Sequence, residues 1–125
     1  MKWPEQLLWT DGLAGAAVGV GTLALAGWLS QLYRLPKDFV LLIAAANLIY
    51  GAYSLTIARL HRRPVSLIIA LALANTTWAV LCFRWVYRWH ETASFFGLFH
   101  LGAEGLFCLG LAALEWRLRH QLTKP

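Results

Sequence analysis

Residues 65 to 83 read VSLIIALALANTTWAVLCF. The run carries no charged side chain, and as a helix rising about 1.5 Å per residue it matches the roughly 30 Å hydrocarbon core of a bilayer. Three more apolar blocks of similar length flank it: Leu13 to Leu29, Phe39 to Ala58 and Ala93 to Leu114. Of the 125 residues, 59% are hydrophobic and 14% charged. Soluble domains hold roughly 45–50% and about 25%, so too little polar cover remains here for a water-soluble fold. The reading is an all-α membrane protein with one integral membrane domain over residues 1–125. It predicts a four-helix up-down-up-down transmembrane bundle with spans near residues 12–33, 39–60, 65–86 and 93–116.

The links between blocks are short: RLPKD at 34–38, RLHRRP at 59–64 and RWVYRWHET at 84–92. Links of this length make successive helices antiparallel neighbours. Pro36 and Pro64 stand at the start of the following helix, where a missing N–H is no loss. The formal charge of +5 comes from Lys and Arg at the helix ends, where they anchor and orient spans, so nucleic acid is not expected as a partner. Lys2, Arg59, Arg62, Arg63, Arg117, Arg119 and Lys124 fall on one side, and Arg34, Lys37, Arg84 and Arg88 on the other. The more basic side stays cytoplasmic, which predicts an inner-membrane, multi-pass protein with both termini inside. Glu5 and Asp11 oppose Lys2, so the first block reads as a retained helix and not a cleaved leader.

Three stretches, ANLIYG (46–51), ANTTWA (74–79) and AEGLFC (103–108), repeat a small residue, a polar one and, three places on, an aromatic. Counting helical rise from each span's start puts Asn47, Asn75 and Glu104 roughly 12–17 Å deep, near the midplane. Helical periodicity gives each span a stripe of small and polar side chains: Asn47, Tyr50, Ser54 and Ala58; Ala72, Asn75, Ala79 and Cys82; His100, Glu104 and Cys108. Turned inward, the stripes make one polar cluster of Asn47, Asn75, His100 and Glu104, narrowed by Tyr50 and Trp78. Buried amides are readily explained by helix packing. A mid-membrane glutamate is costly and marks function by default, with His100 one turn away as its partner.

Other features have plainer readings. Trp9, Trp28, Tyr33, Trp85, Tyr87, Trp89 and Trp116 lie near helix ends and read as an aromatic belt. Asp11 reads as an N-cap, and Glu115 with Arg119 as an exposed pair of little weight. Gly15 and Gly19 form a GxxxG pair that serves either the bundle or a homodimer. Cys82 and Cys108 read as buried small residues without a disulfide. One His and one carboxylate in the spans fall short of a metal set, and His61, His90 and His120 lie outside the spans, which disfavours haem. No metal or other cofactor is expected. No nucleophile elbow, phosphate loop or HExxH pattern occurs, so nothing points to an enzyme.

The DG at residues 11–12, the four short spans and the polar residue in each later span resemble those of small four-helix bacterial inner-membrane proteins. Residues 102–116, GAEGLFCLGLAALEW, are similar to one helix of the DoxX-like membrane family. The likeness covers that helix alone and carries over no functional residues.

Three functions fit these residues. The first is binding or relay of a small polar solute, cation or proton at Asn47, Tyr50, Asn75, Trp78, His100 and Glu104, the path being completed in a homo-oligomer. The second is a non-catalytic structural or assembly subunit beside partner membrane proteins. The third is binding of an apolar ligand such as a quinone, which a lipid-facing cleft reaching His100 would favour.

Overall fold

The computed structural model describes residues 3–124, so Lys2 of the charge count lies outside the described residues. Six helices follow in order: α1 Trp3–Ala24, α2 Ala26–Tyr33, α3 Lys37–Arg59, α4 Val65–Trp89, α5 Phe95–Arg117 and the short α6 Arg119–Leu122. Four are long and apolar enough to cross a membrane: Pro4–Ala24 within α1, then α3, α4 and α5. The architecture is an all-α multi-pass bundle, as the apolar blocks predict.

The first crossing departs from the expectation. Its helix starts at Trp3, about two and a half turns before residue 12. Pro4 sits in its first turn, where proline is tolerated. Asp11 is therefore an interior helix residue, only 4% exposed, and not an N-cap. Its carboxyl serves a neighbouring helix and not its own backbone ends. At Leu25 the backbone leaves helical geometry for one residue, and the ladder continues through Leu25 N–H to Gly21 O (3.0 Å) and Leu29 N–H to Leu25 O (2.8 Å). α2 ends where Arg34 turns left-handed (φ 56°), its N–H bonded to Ser30 O.

Glycine decides which helices touch. A Cβ on Gly51 of α3 would lie 2.6 Å from Ala16 N and 2.9 Å from Gly12 O, and one on Gly15 would lie 3.0 Å from Asn47 O. The GxxxG pair is thus used inside the bundle, letting α1 and α3 meet backbone to backbone. α4 and α5 form the second close pair, with Gly105 seated against the Phe83 ring and Cys82. The two pairs meet across bulkier side chains. Tyr50 OH donates to Ala74 O (3.3 Å), Tyr53 OH donates to Leu67 O (3.0 Å), and the Tyr50 and Trp78 rings lie 6.0 Å apart.

One core, around Val40, Ile43, Trp78 and Leu101, fills the end where α5 begins; another, around Leu8, Ile68, Leu71 and Leu122, fills the opposite end. At that second end Arg63 and Lys124 exchange backbone hydrogen bonds of 2.7 and 2.9 Å, and both side chains reach Glu5, at 3.3 and 2.7 Å. The latch ties the α3–α4 link, α1 and the tail after α6 together. Outward faces are apolar, as lipid contact requires: Ile49 is 68% exposed and Leu73 60%.

Candidate functional site

A cleft of about 610 Å³ runs along the flank of the bundle between α1–α2 and α5. Between Phe96 and Leu111, which both line it, α5 rises about 22 Å. The walls come from Ala14 and Val18 of α1, Trp28 and Leu32 of α2, and Phe99, Ala103 and Phe107 of α5; the floor comes from α3 and α4. Val18, Trp28, Phe96, Phe99 and Phe107 are all exposed outward, so the opening faces sideways at the depth of the apolar helix segments. The volume falls within the roughly 300–1,000 Å³ typical of ligand pockets.

All six expected site residues, Asn47, Tyr50, Asn75, Trp78, His100 and Glu104, line this cleft. Their hydrogen bonds nonetheless divide five of them between two stations, while Tyr50 donates to Ala74 O. At the first, Glu104 Oε1 accepts from Asn47 Nδ2 and from Trp78 Nε1, each at 2.7 Å, and Oε2 meets His100 Nε2 at 2.7 Å. Both carboxyl oxygens are thus engaged, by three nitrogens from three helices. An ionised carboxylate is purely an acceptor, and three N–H donors, one of them on an imidazole, offset its burial in a way lipid could not.

His100 continues the chain outward. Its Nδ1 lies 3.0 Å from Tyr33 OH. With Nε2–H donating to Glu104, a neutral ring leaves Nδ1 to accept from Tyr33 O–H; an imidazolium instead donates to the tyrosine oxygen and frees its O–H. Tyr33, one of the aromatic residues read as a belt near the helix ends, also lines the site. Ser94 holds it there, because Ser94 N–H donates to Tyr33 O (2.8 Å) and its Oγ donates to Leu32 O (2.6 Å). Gly97 makes room, since a Cβ there would sit 2.9 Å from both Tyr33 Cβ and Tyr33 O.

The second station belongs to Asn75. Its Nδ2 donates to Asp11 Oδ2 (3.1 Å) and to Glu115 Oε1 (2.8 Å). Asn75 is therefore not bonded to Glu104, contrary to the single cluster expected. Equal depths counted from each span's start do not put the side chains in register, because the helices are offset: Asn75 bonds a residue eleven places beyond Glu104 on α5, about 16 Å further along its axis. Glu115 is wholly buried and does not pair with Arg119, whose guanidinium instead donates to Trp116 O at 2.6 Å and stacks 4.2 Å over the Trp116 ring. Cys82 and Cys108 are both free and buried. Among the described residues no group of three or more His, Cys, Asp or Glu side chains gathers into a metal set.

The chain matches no family model, no curated protein and no solved structure. The functional reading therefore stands on the cleft itself: an apolar slot, open to the side, with a hydrogen-bonding wall at Tyr33, His100 and Glu104.

Proposed function

We propose that the protein binds, from within the bilayer, an apolar molecule carrying a small carbonyl or hydroxyl head, the chemistry of a quinone or quinol. The observation that carries this reading is the sideways opening. A slot walled by Val18, Trp28, Phe99 and Phe107 suits an apolar body arriving through lipid, and the Tyr33–His100–Glu104 chain suits a head group that accepts or donates one hydrogen bond. With neutral His100 the tyrosine oxygen offers a lone pair to a hydroxyl head; with the imidazolium its O–H is offered to a carbonyl. Tyr50 and Trp78 floor the slot, and Asn47 holds Glu104 in place.

The proposed setting is the inner membrane with both termini cytoplasmic, supported by the seven-to-four distribution of Lys and Arg. A second reading, relay of protons without a ligand, draws support from the same unbroken chain from Tyr33 to Glu104. A partner or second copy would have to seat on another face, because the GxxxG glycines are already used between α1 and α3.

The test is a titration of the protein in nanodiscs with a short-chain benzoquinone, followed by quenching of tryptophan fluorescence. Saturable quenching is expected in the native protein. Ala103→Trp, which fills the slot without touching its polar wall, is expected to abolish it, and Glu104→Gln to weaken binding about tenfold, the loss of one charge-assisted hydrogen bond. Quenching that is linear in quinone, or unchanged by Ala103→Trp, would refute the reading.

A further inference from the structure

The ligand wall at Tyr33 makes no use of the two carboxyl groups at the other end of the slot. Asp11 of α1 and Glu115 of α5 share the single Asn75 nitrogen, at 3.1 and 2.8 Å, which sets one carboxyl oxygen of each beside the other. An amide nitrogen has two hydrogens, and both are spent on this pair. Glu115 Oε2 remains, fully buried and without a hydrogen-bond partner among the described residues. The other titratable groups near the pair are Tyr53 of α3, whose hydroxyl is already given to Leu67 O, and the buried thiol of Cys108 on α5. None of these brings a positive charge.

Two ionised carboxylates in so dry a place repel strongly, and the arrangement lacks one donor between them. Calcium takes six to eight oxygen ligands, more than two carboxyl groups supply, and among the described residues no third His, Cys, Asp or Glu joins the pair as a metal ligand. We infer that Asp11, Asn75 and Glu115 form a proton-binding site in which the two carboxyl groups hold one proton between them, a carboxylic acid donating to a carboxylate. The proton ties α1 to α5 at the end of the cleft. Asp11 lines the cleft and Glu115 does not, so Asp11 is the member of the pair from which the proton leaves, and its loss sets two like charges against each other across the α1–α5 seam. The site stands whether or not the slot takes a quinone.

Infrared spectroscopy of the ligand-free protein in nanodiscs tests this directly. A protonated-carboxyl C=O band is expected at neutral pH, shifted to lower frequency in D2O and lost on alkaline titration. It is expected to persist in Glu104→Gln and to vanish in Glu115→Gln, where no second carboxyl remains to share a proton. Asp11→Asn repeats the test from the other helix, with circular dichroism confirming the fold of each variant. No such band in the native protein, a band that survives both substitutions, or a band removed at fixed pH by added Na+ would overturn the inference. Because no quinone is present, failure of the ligand reading leaves this result unaffected.

Discussion

Replacing Asn75 by leucine removes a side chain of similar size and both of its hydrogen bonds at once. Asn75 is 1% exposed, and its nitrogen is the only side-chain donor the described residues give to Asp11 Oδ2 and Glu115 Oε1. Each buried acceptor left without a donor costs about 1–3 kcal/mol in soluble proteins, while polar contacts between membrane helices average about 0.6 and reach about 1.7 kcal/mol. Two such losses place the expected destabilisation at about 2–3 kcal/mol. Asn47→Leu is the matched control: it also removes a buried amide, but Glu104 keeps the Trp78 and His100 nitrogens, so a loss of about 0.5–1 kcal/mol is expected. Reversible unfolding in mixed detergent micelles measures both. A cost for Asn75→Leu no larger than that for Asn47→Leu would refute the separation into two stations.

Other outcomes follow from the same packing. Gly51→Ala places a methyl group 2.6 Å from the Ala16 backbone nitrogen, which cannot swing aside, so a loss of about 1–3 kcal/mol is expected in the same unfolding assay. Gly102→Ala and Gly110→Ala meet nothing within 4 Å and are expected to stabilise by up to about 1 kcal/mol each, through helix propensity. Gly97→Ala pushes Tyr33 off His100, so it is expected to weaken benzoquinone binding while leaving the Asp11–Glu115 infrared band intact.

The helices were legible because lipid imposes a simple rule: Val65 to Phe83 has nowhere to satisfy its backbone except in a helix. The stripes were legible as well, and Asn47, Ser54, Ala72, Asn75, Ala79 and Cys82 are all buried. The first crossing was harder to read, because Glu5 and Asp11 make its start look polar when both point to partners in the fold. Asp11 and Glu115 were missed for one reason: each sits near a block's edge in sequence, and only the offset between helices carries them inward to Asn75. Tyr33 is the plainest case. Nothing within its own helix marks it, because its partner His100 lies 67 residues away and their meeting depends on Ser94 and Gly97 seating α2 on α5.

The central claim, a ligand slot on the α1–α5 flank, is tested most directly by photolabelling in nanodiscs with a diazirine-bearing benzoquinone and mapping the modified residues by mass spectrometry. Labels concentrated on Trp28, Tyr33, Phe99, Ala103 and Phe107, and competed away by unlabelled quinone, are the expected result. Labels spread evenly over lipid-facing positions such as Ile49, Leu73 and Val80, without competition, would contradict it.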